Sequence, residues 1–358
     1  MEPVSALSTL RWTTVGLVGL MAACGSANDR DGVDATASAA AIPDVAGEAP
    51  TVRPGIDQGL PDGAAEESSP GALEVSPWPL LEERLLARIA QEGDSIHLGV
   101  AFLDLHTGRS VEVGAERSFH AASTMKVPVL LEWYRQSELG LRSLDEPVPV
   151  RNTFRSVYDG SEFTLDEDVD EGLMEALGQE LPARRIAEGM IQVSSNLGTN
   201  LLLELLTPDS VQSTMARIGA EEMQVVRGVS DIPAFEAGLS NRTTARAYLR
   251  VLDAIARCEV TSRASCDEML EILDGQEFRS EIPAGIPASA LEGGVRVGNK
   301  TGSITRILHD GAIVRIPGRA PYLLVTLSEG YDDKEEGSRV LAELSRITWT
   351  TLMEESTP

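Results

Sequence analysis

The 358-residue chain sets 56 acidic against 30 basic side chains, a formal net charge of −26, and its composition is 42% hydrophobic but only 4% aromatic. A surface of that sign repels phosphate backbones and points away from nucleic-acid partners. The four histidines, His97, His106, His120 and His309, show no metal-ligand spacing, so no metal and no other cofactor is expected.

Arg11 precedes a short apolar run, Trp12 to Ala23, that ends in Leu20-Met21-Ala22-Ala23-Cys24. The run is shorter than the roughly 20 residues a membrane span needs, so residues 1–24 read as an export signal. Small residues before a cysteine resemble a bacterial lipobox, in which Cys24 becomes the lipidated N-terminus. The protein would then be tethered to a bacterial membrane, facing the periplasm or cell exterior. An ordinary signal peptide with an incidental Cys24 is the other reading. Residues 25–76, rich in Ala, Gly, Pro, Asp and Glu, bury too little surface to offset chain entropy and are expected to form a disordered acidic linker.

Residues 77–358 are expected to fold. Trp78 to Gln91 spaces its leucines as an amphipathic helix, and Ile96 to Leu105 with Ser110 to Val113 reads as a hairpin turning at His106-Thr107-Gly108-Arg109. Met125 to Gln136 is an apolar helix whose Pro128, about one turn in, is expected to cost a hydrogen bond or a kink. Helical patterns follow at Pro182 to Gln192, Asn196 to Leu206, Asp209 to Ile218 and Thr243 to Arg257. Strands return at Gly294 to Lys300, Gly311 to Ile316 and Tyr322 to Leu327, before a last helix over Lys334 to Met353. Strands at both ends with helices between them predict an α+β fold: one five-stranded antiparallel sheet completed by both termini, against a helical lobe. With Cys24 carrying lipid, Cys258 and Cys266 remain, eight residues apart between two predicted helices. A disulfide and two free buried thiols both fit.

Three short motifs could carry chemistry. Ser123-Thr124-Met125-Lys126 opens the apolar helix, where residues three apart share a face and the amine can reach the hydroxyl. Positive potential at a helix start favours a neutral amine, a usable base. Ser194-Ser195-Asn196 lies between two helices, and Lys300-Thr301-Gly302-Ser303 ends a strand. A strand-end lysine with adjacent hydroxyls suits a carboxylate, and Gly302 would let a substrate come close to the backbone. Singly, these are a helix cap and a strand-terminating turn. Lysine usage changes the balance: the 30 basic residues include only three lysines, Lys126, Lys300 and Lys334, and two lie in the motifs. Arginine cannot be deprotonated in a protein, so it could not serve as the base at 126.

Taken in order, the motifs resemble those of the class A serine β-lactamases and their penicillin-binding relatives, over roughly Pro77 to Met353. That resemblance implies a three-layer fold with N- and C-terminal helices on one sheet face and the site between sheet and helical lobe. It implies Ser123 as the acylated nucleophile, Lys126 as its base and Ser194 as proton relay to the leaving nitrogen. Asn196 would position substrate and Lys126, while Lys300, Thr301, Gly302 and Ser303 bind the substrate carboxylate. The backbone N–H groups of Ser123 and Ser303 would form the oxyanion hole. The implied partner is a β-lactam or a peptidoglycan stem peptide, acted on by a monomer.

The match departs in three places. Ser195 stands where class A enzymes carry aspartate, read as the simple loss of a structural hydrogen bond. Val229 occupies the position of the glutamate that activates the deacylating water, leaving Asp231 or Glu236 as substitutes. The arginine often found on the strand after the third motif is missing from His309-Asp310-Gly311, with Arg306 as a possible replacement. Acylation is therefore better supported than turnover. β-Lactam hydrolysis leads, ahead of a D-Ala-D-Ala carboxypeptidase or a non-turnover cell-wall-binding module.

Overall fold

A computed structural model describes residues Ser76–Glu355. The export signal, Cys24 and the linker as far as residue 75 lie outside the described residues. The central sheet contains strands β1 (Ser76–Pro77), β2 (His97–Asp104), β3 (Arg109–Val113), β4 (Arg296–Ile304), β5 (Ile307–Arg315) and β6 (Tyr322–Glu329), in the order β1-β3-β2-β6-β5-β4. Five are antiparallel, as expected. The sixth, β1, is a two-residue parallel edge that pairs Ser76 with Arg109 and Pro77 with Ser110. Two residues show no periodicity, and a proline without an N–H is tolerated only at an edge, so nothing in the sequence marks this strand.

Successive residues of β2 enter two different cores. Val100 and Phe102 pack with Leu81 and Leu85 of helix α1 (Pro79–Ile89) and with Leu341 and Leu344 of the last helix (Lys334–Glu355). Ala101 and Leu103 face the other way, toward helix α2 (Lys126–Glu138) and the helical lobe. Because both faces are covered, the strand reads as one apolar run.

The lobe holds α3 (Ala183–Gln192), α4 (Asn196–Leu206), α5 (Pro208–Ile218) and α6 (Ala245–Arg257), all close to the expected bounds, and α7 (Arg263–Asp274), for which the sequence reading gives no bounds. Helix α2 starts only at Lys126, after a 3-10 turn over Ala122–Met125. Pro128 therefore falls in the first α-helical turn, where its missing N–H has no intrahelical partner to lose, and the expected hydrogen-bond cost does not arise. Cys266 lies inside α7 and not between helices. It bridges to Cys258, the left-handed cap of α6, across a Cα–Cα distance of 5.8 Å.

Candidate active site

The side chains of the three motifs meet where the sheet edge joins the lobe. Ala122 sits at φ 47°, in the left-handed region uncommon outside glycine, and starts the tight turn that presents Ser123. His120 Nδ1 accepts from Ala122 N–H at 3.0 Å, and Thr124 Oγ1 donates to the Ala121 carbonyl at 2.7 Å. Beneath them, buried His309 places Nε2 2.9 Å from the His120 carbonyl, while its Nδ1 lies 2.7 Å from the Leu308 carbonyl and 3.2 Å from Ser328 N–H. Burial outweighs these carbonyls and pushes His309 down to about 4, so the neutral ring is the stable form.

Gly302 on β4 has a different reason from the one the sequence offers. A Cβ there would lie 3.0 Å from Thr124 Cγ2 and 3.2 Å from the Ala121 carbonyl, so the space is filled by the turn carrying Ser123 rather than kept for substrate. Lys300 is fixed through its backbone: buried Tyr248 of α6 donates from its hydroxyl to the Lys300 carbonyl at 3.0 Å.

Lys126 and Lys300, both fully buried, converge on one hydroxyl. Each amine lies 3.1 Å from Ser194 Oγ. Ser194 itself adopts φ 63°, a conformation that costs about 1–3 kcal/mol and turns its carbonyl as well as its hydroxyl toward Lys126. Lys126 Nζ donates to that carbonyl at 2.7 Å and to Asn196 Oδ1 at 2.9 Å. Burial first, then the neighbouring Lys300 ammonium, holds Lys126 well below its ordinary value, with Asp168 opposing. A neutral amine has two hydrogens and one lone pair. The acceptor-only oxygens of Ser194 and Asn196 take the hydrogens, leaving the lone pair for a hydroxyl proton.

Ser123 Oγ makes no hydrogen bond to Lys126 among the described residues, because the amine is held on Ser194 and Asn196. It lines the same space nonetheless. Ser123, Ser194, Asn196, Thr301 and Ser303 line a cavity of about 280 Å³, and Ser123, Asn196 and Ser303 also line an adjoining one of about 440 Å³. Ser123, Ser194 and Asn196 are half-buried, accessible to a small molecule.

Other expectations are not met. Asp231 lies apart from these side chains. Ser230 at φ 62° reverses the chain, so Val229 and Ser230 face the larger cavity while Asp231 turns beneath the loop. There both its oxygens accept backbone N–H groups, from Ala234 at 3.2 Å and Val157 at 3.0 Å, which makes it the cap of a short helix. Glu236 is exposed at the end of that helix and lines neither cavity. Arg306 reaches the Gly330 carbonyl and Asp332, not the cleft. Ser195 does not lose the structural bond: its Oγ accepts from Gly198 N–H at 2.8 Å and caps α4.

The carboxylate at that helix start comes from elsewhere in the chain. Asp168 Oδ2 accepts from Asn196 N–H at 2.7 Å and Leu197 N–H at 2.8 Å, complementing the helix dipole and fixing the residue that holds Lys126. It lies in the acidic run Asp166-Glu167-Asp168-Val169-Asp170, where spacing gives no sign of a partner 28 positions away. Among the described residues, no group of three or more His, Cys, Asp or Glu is placed to hold a metal.

A family model described as the beta-lactamase enzyme family matches residues 80–352. The chain belongs to this family. Beta-lactamase CTX-M-8 of Citrobacter amalonaticus is 26% identical over 255 residues, covering 70% of this chain and 82% of that protein. Beta-lactamase Toho-2 of Escherichia coli is 28% identical over 257 residues with the same coverage. Among solved structures, PBP-A gives a TM-score of 0.67 at 23% identity, covering 78% of this chain and 98% of that one. An ancestral class A β-lactamase gives 0.65 at 25%, covering 76% and 99%. These relatives place the chain with the class A β-lactamase-like serine hydrolases and give it their fold.

Proposed function

We propose that this family member opens the β-lactam amide through a covalent acyl-enzyme on Ser123. The observation that carries the reading is the single hydroxyl of Ser194 held 3.1 Å from two buried lysine amines, in the cavity that Ser123 lines. The neutral Lys126 amine takes the Ser123 proton as Oγ attacks the carbonyl carbon. The amide C–N bond then breaks, and the proton passes through Ser194 Oγ to the departing nitrogen. The backbone N–H groups of Ser123 and Ser303 receive the oxyanion, an arrangement in which one donor is worth about 2.7–4 kcal/mol. Lys300, Thr301, Gly302 and Ser303 hold the carboxyl end of the substrate. In this reading the Lys126–Ser123 hydrogen bond tightens when substrate binds, as catalytic hydrogen bonds do.

Hydrolysis of the acyl-enzyme is slow in this reading, since Val229 and Ser230 stand where a water-activating carboxylate would serve. The same observation favours a second reading, a penicillin-binding enzyme acting on peptidoglycan stem peptides. A PBP-A variant has been solved as its acyl-enzyme complex with penicillin G. Steady hydrolysis of a chromogenic β-lactam supports the first reading, and release of D-Ala from a stem peptide supports the second. Neither activity together with a long-lived adduct leaves a non-turnover binding module. We further propose that residues 1–24 export the protein and that lipid on Cys24 anchors it. Release of Cys24→Ala from the membrane fraction is the expected result, and retention would contradict it.

A further inference from the structure

The smaller cavity ends on a carboxylate that the acylation chemistry does not use. Glu281, just ahead of the 3-10 turn Pro283–Gly285, is only 4% exposed and lines the same cavity as Ser123, Ser194, Thr301 and Ser303. Its Oε1 accepts from Ser338 Oγ at 2.7 Å, but Oε2 is buried without a hydrogen-bond partner. A buried acceptor left without a hydrogen bond is costly, and in a residue that lines the cavity it calls for an explanation.

The charges around it narrow what that donor is. Asp310 lies fully buried nearby, its carboxyl accepting from Asn299 Nδ2 at 3.0 Å and from Ile282 N–H at 3.0 Å. Burial, then the Glu281 carboxylate, pushes Asp310 up to about 8. The cation facing this pair is Lys300, whose amine donates to Ser194 Oγ and to the Thr301 carbonyl and is pushed down by burial to about 7. Lys334 also lines the cavity, but it is exposed at the start of the last helix. Glu281, with the raised Asp310 carboxyl behind it, thus lies near the place where the substrate's carboxyl end meets Lys300. The Glu281 side chain in such a site acts as a filter against an anion.

This cavity takes the leaving-nitrogen side of the substrate, because it contains Ser194, while Val229 and Ser230 line the other. We infer that Glu281 is a specificity-determining residue, its free Oε2 accepting a hydrogen bond from an N–H group on the leaving side of the substrate and disfavouring a free carboxylate there. The ligand class is an acylating amide whose carboxyl end is amidated or carries an ammonium group. The inference rests on acylation at Ser123 and names the form that end of the substrate takes.

The test compares benzylpenicillin with its carboxamide, which differ only in that group. The second-order rate of adduct formation on Ser123 is followed by intact mass. On the wild-type protein, the carboxamide should acylate at least as fast as the carboxylate. Glu281→Gln, which keeps an acceptor for Ser338 and places an amide N–H₂ at the free position, should lower the carboxamide-to-carboxylate rate ratio at least tenfold. A ratio unchanged within twofold in that variant overturns the inference. So does a wild-type protein that prefers the carboxylate by more than tenfold, a result that needs no variant to fold. Labelling by neither compound removes acylation at Ser123 itself and takes this inference with it, a result distinct from a ratio that does not move.

Discussion

Replacing Val229 with glutamate probes the slow step of the proposed reaction at the position that controls it. The backbone there is fixed on both sides: Val229 N–H donates to Asn200 Oδ1 at 2.7 Å, and Asn200 Nδ2 donates to the Val229 carbonyl at 2.9 Å. The half-buried side chain faces the cavity of about 440 Å³ shared with Ser123 and Asn196, which has room for a longer residue and a water molecule. A positioned general base is worth about 10²–10⁴ in rate. A carboxylate about 1 Å out of place forfeits about a hundredfold, so even an imperfectly seated glutamate should speed deacylation by up to about 10²-fold. The assay forms the benzylpenicillin adduct, removes free drug and follows the return of unmodified protein by intact mass. Val229→Gln, equal in size and without a base, should leave the lifetime near wild type. If the glutamate variant acylates normally but loses its adduct within twofold of the wild-type rate, the assignment of this position is wrong.

Lys126→Met, which removes the amine, should slow acylation by about 10²–10⁴ in stopped-flow or mass-labelling measurements. The wild-type rate should fall with acidification at a pH well below 10.5, because burial and Lys300 depress the Lys126 amine; a limb at 10.5 would contradict a neutral base. Gly302→Ala presses a methyl against Thr124 and Ala121, displacing the Ser123 turn. An acylation loss of about tenfold is expected, with a melting change equivalent to about 1–2 kcal/mol. Unaltered acylation would show that the turn tolerates the contact. His309 is held neutral in the fold, near 4 against an ordinary 6.5. Its contribution is therefore complete above pH 6.5 and lost as pH falls toward 4, about 3 kcal/mol in all. Urea unfolding at pH 7, 5 and 4 should reveal that slope, and His309→Gln should flatten it.

How much of this was legible in the sequence depends on the range of the interaction. The hairpin of β2 and β3 and the helices α4, α5 and α6 follow from local periodicity, and the observed bounds fall within about two residues of the expected ones. Helix α7 is legible too, since Cys266, Met269, Leu270 and Leu273 have helical spacing and are buried, although a cysteine eight residues from its neighbour also fits a loop. Edge strand β1 left no signal. In the site, Lys126, Ser194, Asn196 and Lys300 come together because their motifs encode both chemistry and local geometry. Asp168, Tyr248, His309 and Glu281 reach the same place through tertiary folding alone. Asp231 misled for a related reason: it stands only two residues from Val229, but Ser230 in the left-handed region turns the next side chain away. A pattern of residue types does not record such a reversal.

Covalent capture at one hydroxyl is the claim from which the rest follows. Brief exposure of the protein to benzylpenicillin, followed by intact-mass and peptide mapping, should add the mass of one whole antibiotic at Ser123 and none to Ser123→Ala. An unmodified wild-type protein at saturating drug, or an adduct that persists in the alanine variant, would contradict the account.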